Sequence, residues 1–160
     1  MISVVRLGTR RQSGEGIRLG TVRRPPRGVR KSDIAGRGFY DVWLPELAPS
    51  AVTVSWAMSR PWTDARWRQF TRRYLKEMKA PPARHLIETL AALSHHADFA
   101  VGCYCEDEER CHRSILRQLF VDAGARVSRP RPTDEICQRG RVATRHRPDP
   151  NPTPTRHRRG

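Results

Sequence analysis

The stretch DFAVGCYCEDEERCHRSILRQLFVDAG, residues 98–124, decides the fold. Residues 98–105 open with a polar turn residue and continue as a short apolar run, the pattern of a strand buried on both faces. After four acids, residues 106–109, the second half sets Ile115, Leu116, Leu119 and Phe120 on one helical face. It stops at Gly124, a residue suited to the left-handed conformation just past a helix C-terminus. A buried strand leading through a polar loop into an amphipathic helix is the unit of an α/β fold. In an open α/β sheet, ligands bind at that strand-to-helix turn.

The same stretch carries the chemistry. GCYCEDEERCHRS, residues 102–114, holds three of the chain's four cysteines and one of its six histidines. Cys103 and Cys105, two apart on a strand, share one side. Cys111 and His112 begin the next helix, whose free N–H groups and dipole lower the pKa of a nearby thiol.

Two functional readings follow. In the first, Cys103, Cys105, Cys111 and His112 bind a metal in the order C-x-C-x5-C-H, as zinc or an iron–sulfur cluster. The order lacks the usual C-x2-C pair, and adjacent ligands on one helical turn diverge by roughly 100°. In the second, Cys105 or Cys111 is a catalytic nucleophile, His112 its base or proton donor, and Arg113 an anion-binding group. This resembles the phosphate loop of cysteine phosphatases, where an Arg stands six positions after the Cys. Counted from Cys105 that position is Cys111, and the four acids oppose both phosphate and thiolate, so phosphatase chemistry is rejected. A packing reading stands beside both: Cys103 as strand core, the acids complementing the helix dipole, and His112 facing solvent. Cys137, in the C-terminal segment, reads as an incidental thiol.

Working outward, TDARWRQFTRRYLKEMK, residues 63–79, is the clearest helix. Thr63 is its N-cap, and Trp67, Phe70, Tyr74, Leu75 and Met78 form its buried face. A second helix runs over residues 83–93 with Leu86, Ile87, Leu90 and Leu93 buried, and His95 and His96 close it as capping residues. Residues 2–7 and 19–22 read as strands, joined by a loop or hairpin. RRPPRGVRKSDIAGRG, residues 23–38, reads as an extended basic loop. Residues 48–58 give conflicting signals: Ser50 is a good N-cap, yet Val52, Val54, Trp56 and Met58 alternate as in a strand.

Of the net charge of +15, little belongs to the middle of the chain. Residues 1–38 carry 10 basic and 2 acidic groups and residues 126–160 carry 10 and 3, whereas 39–125 balances 11 against 11. The expected organisation is one α/β domain, residues 1–125, with a mostly parallel sheet flanked by helices in three layers. An Arg/Pro-rich tail, residues 126–160, has too little apolar surface to offset its chain entropy and is expected to be disordered. No apolar run is long enough to span a membrane, and the N-terminus lacks an export signal's order, so a cytoplasmic setting is expected.

RPPRGVRK (24–31), DVWLPELAPS (41–50), Trp56, WRQFTRRYLKEM (67–78) and GCYCEDEERCHRSIL (102–116) together resemble the domain of unknown function 488 family, especially its YeaO-like branch. The blocks occur in the family's order across residues 2–124. The resemblance implies a compact α/β domain, a helix for residues 51–58, and signature positions Arg27, Gly28, Lys31, Asp41, Arg73 and Tyr74 gathered near the cysteines as substrate-binding residues. It implies no reaction. Where the YeaO-like pattern carries an Asp-Arg pair and a Trp, this chain has Val22, Arg23 and Pro25, without the acid that a general base there would need.

Two functions are expected to compete. One is an enzyme or binding domain for an anionic small molecule, nucleotide-like or sugar-phosphate-like, served by the Cys/His motif. The other is a nucleic-acid-associated protein whose basic termini bind phosphates weakly and nonspecifically, with the motif a structural metal site.

Overall fold

A computed structural model describes residues 1–129 of the chain. Its strands are β1 (Ile2–Arg6), β2 (Ile17–Gly20), β3 (Val42–Trp43) and β4 (Phe99–Cys103). Its helices are α1 (Ala51–Met58), α2 (Asp64–Met78), α3 (Pro81–Leu93) and α4 (His112–Asp122). The strands form one parallel sheet in the order β1-β4-β2-β3, with Val4 and Leu19 flanking Val101 from either side. β1 and β2 therefore do not form a hairpin: β4 lies between them, and the ten residues joining them connect two parallel strands.

Because side chains alternate along a strand, the two faces of the sheet differ. Ile2, Leu19, Phe99 and Val101 pack against Phe70 and Tyr74 of α2, Ile87 and Leu90 of α3, and Leu116 and Phe120 of α4. Burying each large side chain contributes roughly 1.5–3 kcal/mol. On the other face, glycines permit a close approach. A Cβ on Gly20 would lie 2.4 Å from the Tyr40 ring, and one on Gly102 would lie 2.5 Å from Leu7. The segment between β2 and β3 lies on this face, burying Ile34 and Tyr40 and including a 3-10 turn, Lys31–Asp33, within what reads as an extended loop. The sheet is thus the middle of three layers, as expected.

Under the same cover, buried Arg18 pairs with Glu15 and donates to the carbonyls of Thr9 (2.8 Å), Gly38 and Arg10 (3.2 Å). This ties the loop after β1 to the end of the covering segment. No helix among the described residues is long and apolar enough to cross a membrane.

Local chemistry explains most boundaries. Thr63 Oγ1 accepts from Arg66 N (3.2 Å) and caps α2. α3 starts at Pro81, two residues before the expected start, because proline suits the first helical turn. Its buried residues are Ala83, Ile87, Leu90 and Ala91, whereas Leu93 is 44% exposed beside the fully buried Ser94. Residues 51–58 are helical. Ser50 Oγ accepts from Thr53 N (3.2 Å), Thr53 and Ala57 face inward, and Val52 and Met58, half of the alternating pattern, project outward. His96 N bonds Leu93 O (2.9 Å) at the end of α3, but the His95 ring instead donates to Gly124 O (3.0 Å) beyond α4.

Past Gly124, which holds the expected left-handed φ of 80°, the chain turns onto β1. Ile2 N donates to Arg126 O (2.7 Å) and Ser128 N to Ile2 O (2.8 Å). The first residues assigned to the tail are therefore paired, because the edge of β1 offers unsatisfied backbone groups. The rest of that segment, with Cys137, lies outside the described residues.

Candidate functional site

All four strands run the same way, so their C-terminal ends share one edge. There Leu7, Val22 and Cys103 gather with Cys111, Ile34 and Tyr40 into a second apolar cluster. Cys103 ends β4, and the acidic loop then carries the chain to Cys111, the N-cap of α4. Cys111 has extended backbone angles, φ −123° and ψ 144°, so it stands outside the helix that His112 opens. The divergence of roughly 100° between adjacent helical residues consequently does not apply to this pair.

Cys103, Cys111 and His112 are all buried, and their ligating atoms lie within 4.8 Å of one another, a cluster that can hold a metal ion. Cys105 lies past the end of β4 and is exposed, with its Sγ 3.6 Å from that of Cys103. His112 is buried, at 6% exposure, and does not face solvent as the packing reading had it. Burial pushes its imidazole down to about 4, so the ring is neutral near pH 7. Nε2–H donates to Thr21 O (2.7 Å), which leaves Nδ1 as the acceptor, 3.8 Å from Cys111 Sγ. The Tyr74 ring packs edge-on against His112 at 5.5 Å, while its hydroxyl donates to Leu47 O (2.7 Å).

The neighbouring thiols, Cys103 first, hold Cys105 below the ordinary thiol range, with the Arg113 charge adding to the effect. The same contacts raise Cys103, and those contacts together with burial raise Cys111. Of the three thiols, the exposed Cys105 is the one these contacts favour as a thiolate. Arg113 is buried and donates to the carbonyls of Val5 (3.3 Å), Cys103 (3.4 Å) and Glu106 (3.2 Å). It braces the strand ends instead of presenting its guanidinium to a ligand.

The edge opens into a cleft of about 1080 Å³ that reaches Cys103, Cys105, Cys111 and His112. Five arginines line it (Arg6, Arg23, Arg24, Arg27 and Arg110), and no carboxylate does. Glu106 is paired with Arg6 (2.8 Å), which lines the cleft, and Glu108 with Arg117 (2.8 Å), which does not. Arg23 is committed to the carbonyls of Pro45, Ala48 and Pro49, and Arg110 to Asp64 (2.7 Å). Arg24 and Arg27 have no ion-pair partner among the described residues. Phe39, Tyr104, Met58 and Trp62 supply apolar wall.

Of the six expected binding positions, only Arg27 lines this cleft. Gly28 follows it with φ 71° and open space around its Cα. Lys31 is exposed on the 3-10 turn, and Arg73 lies over the Trp56 ring at 4.5 Å. Asp41 is taken up by Arg11 (2.7 and 2.8 Å) and by Arg18 N (2.8 Å), and Tyr74 is buried beneath His112. Thr21, which orients His112 through its carbonyl, left no trace in the sequence because any residue supplies that group. Arg24 could have been found from its place in the same RPPR run as Arg27.

No curated protein and no solved structure matches this chain. The family DUF488-N3a, described as the active DUF488-N3 subclade, matches residues 2–124, which span every element described above except the short pairing beyond Gly124. That match does not address the YeaO-like branch. With the parallel sheet, the cysteine motif at its C-terminal edge and this agreement over most of its length, the chain belongs to the DUF488 family.

Proposed function

We propose that the cleft binds an anionic small molecule of nucleotide or sugar-phosphate type, and that Cys105 meets it as a thiolate nucleophile. One observation carries the reading: the exposed thiol of Cys105 shares a cleft with Arg24 and Arg27, which have no ion-pair partner among the described residues, and no carboxylate lines that cleft. The place is also the one at which open parallel sheets bind ligands, outside the carboxyl ends of their strands. Arg24 and Arg27 would take the anionic group, and the Met58 and Trp62 wall would take the apolar portion. His112 is not the proton shuttle in this scheme, since its Nε2–H is held by Thr21 O and its Nδ1 faces Cys111.

Calorimetric titration with a nucleoside monophosphate, ribose 5-phosphate and inorganic phosphate tests this. A charge-assisted hydrogen bond contributes about 1.5–3 kcal/mol, so Arg24→Ala and Arg27→Ala should each weaken binding by about 10-fold or more. In a Cys137→Ser background, Cys105→Ser should bind normally and lose reaction with iodoacetamide near neutral pH. If none of the three compounds binds, or if the double arginine variant binds unchanged, the reading is wrong.

A further inference from the structure

The structure assigns a single zinc-class cation to Cys103, Cys111 and His112, with Cys105 closing the fourth position from the cleft side. A tetrahedral shell with zinc–sulfur bonds of about 2.3 Å has sulfur–sulfur edges of about 3.8 Å, and sulfur–nitrogen edges slightly shorter. The Cys103–Cys105 sulfurs stand at 3.6 Å and Cys111 Sγ to His112 Nδ1 at 3.8 Å, while the three buried ligand atoms fit within 4.8 Å. Two donor pairs already stand at tetrahedral edge length and the three buried donors are gathered closely enough for one ion, with Cys105 closing in beside Cys103. An iron–sulfur cluster would have to spread the thiolates apart.

The surroundings of His112 provide a second, independent observation. A metal-binding imidazole is usually held by a hydrogen bond from its other nitrogen, which fixes the tautomer and aims the lone pair. The Nε2–H bond to Thr21 O, at 2.7 Å, is of this kind, with the Tyr74 ring fixing the plane from the side. Charge balance is a third. Three thiolates, a neutral imidazole and a dication total one negative charge, while Arg113 and Arg117 share the single carboxylate of Glu108 (4.0 and 2.8 Å), which leaves one positive charge next to the backbone of Cys103.

The assignment rests on the proposed function only for what the ion would serve: coordination would keep Cys105 as a thiolate at the cleft. Its geometric support is separate. The experiment uses the full chain, purified reduced and without a metal-affinity tag, with zinc measured by elemental analysis and cobalt(II) added to metal-stripped protein. The expected result is one zinc per chain and a tetrahedral cobalt spectrum with sulfur charge-transfer bands. Cys103→Ser and Cys111→Ser should each weaken cobalt binding by about 100-fold or more. Cys105→Ser should retain the ion with charge-transfer intensity reduced by about one-third, as one of three sulfurs is lost. Cooperative urea unfolding checks each variant, and if a buried-cysteine variant does not fold, the wild-type titration still decides. Folded, reduced wild-type protein that takes up neither zinc nor cobalt overturns the assignment. So does a cobalt spectrum without thiolate bands. Anion titration of metal-stripped protein reads the cleft separately, so failure of one proposal is distinguishable from failure of the other.

Discussion

Glu77→Gln should cost far more than an exchange of carboxylate for amide normally does, because this residue docks α1 onto α2. Glu77 accepts from Ser50 N (2.8 Å), Ser50 Oγ (2.6 Å) and Thr53 Oγ1 (2.6 Å), while Ser50 Oγ in turn accepts from Thr53 N. In either orientation of a glutamine amide, at least one of these three donors loses its acceptor. A hydrogen bond to a charged group contributes about 1.5–3 kcal/mol, and the surviving bonds weaken as the charge goes, so a loss of about 2–3 kcal/mol is expected. With a urea m-value of about 2 kcal/mol per molar, the unfolding midpoint should fall by about 1–1.5 M with m unchanged. Hydrogen exchange should speed up in α1, which supplies Ala51, Val54, Ser55 and Met58 to the cleft wall. Glu88→Gln, at an exposed site paired only with Arg84 at 3.8 Å, is the control and should stay within about 0.5 kcal/mol. A Glu77→Gln midpoint within about 0.3 M of wild type, with α1 exchange unchanged, would refute the reasoning.

Three further outcomes are expected. Gly102→Ala must fit a methyl 2.5 Å from Leu7 Cδ2 and 2.9 Å from Val5 O, so it should destabilise by about 1–3 kcal/mol in urea unfolding. Asp41 is held below the usual carboxyl range chiefly by its hydrogen bonds from Arg11. The unfolded chain therefore binds the extra proton first, and the stability this pair contributes is full above about pH 4 and is lost as pH falls through the lower folded value. The stability gap between wild type and Asp41→Asn should accordingly shrink between about pH 5 and about pH 2; a constant gap contradicts the pairing. Removing residues 130–160 should abolish salt-sensitive DNA binding in a filter assay, if the basic terminus provides it, and leave anion binding in the cleft unchanged.

Particular residues show how far sequence could be read. The α2 face was legible because Thr63, Phe70, Tyr74 and Met78 express capping and periodicity within a few turns. Residues 51–58 were not, because the apolar side chains that set the apparent alternation are partly the outward ones, and docking depends on Glu77, a residue with no marked signal of its own. Leu93 was misplaced because the buried stripe runs on through the small residues Ala91 and Ser94, and Leu93 lies beside it. The binding positions taken from family resemblance fared unevenly for a similar reason. Asp41 and Tyr74 hold the fold around the edge of the sheet, and only Arg27 reaches the cleft.

By itself the sequence determined a buried strand, an acidic loop and a helix, and therefore three cysteines and a histidine brought to the end of an α/β sheet. It also determined the family, through blocks distributed across residues 2–124. Those features are encoded locally, in alternation, caps and spacing. The tertiary structure alone decided that β4 inserts between β1 and β2, that Thr21 orients His112 from 91 residues away, and that Arg24, Arg27 and Cys105 line one cleft. Such relations depend on backbone carbonyls and strand order, which carry no side-chain signature, and they exist only once distant strands have paired.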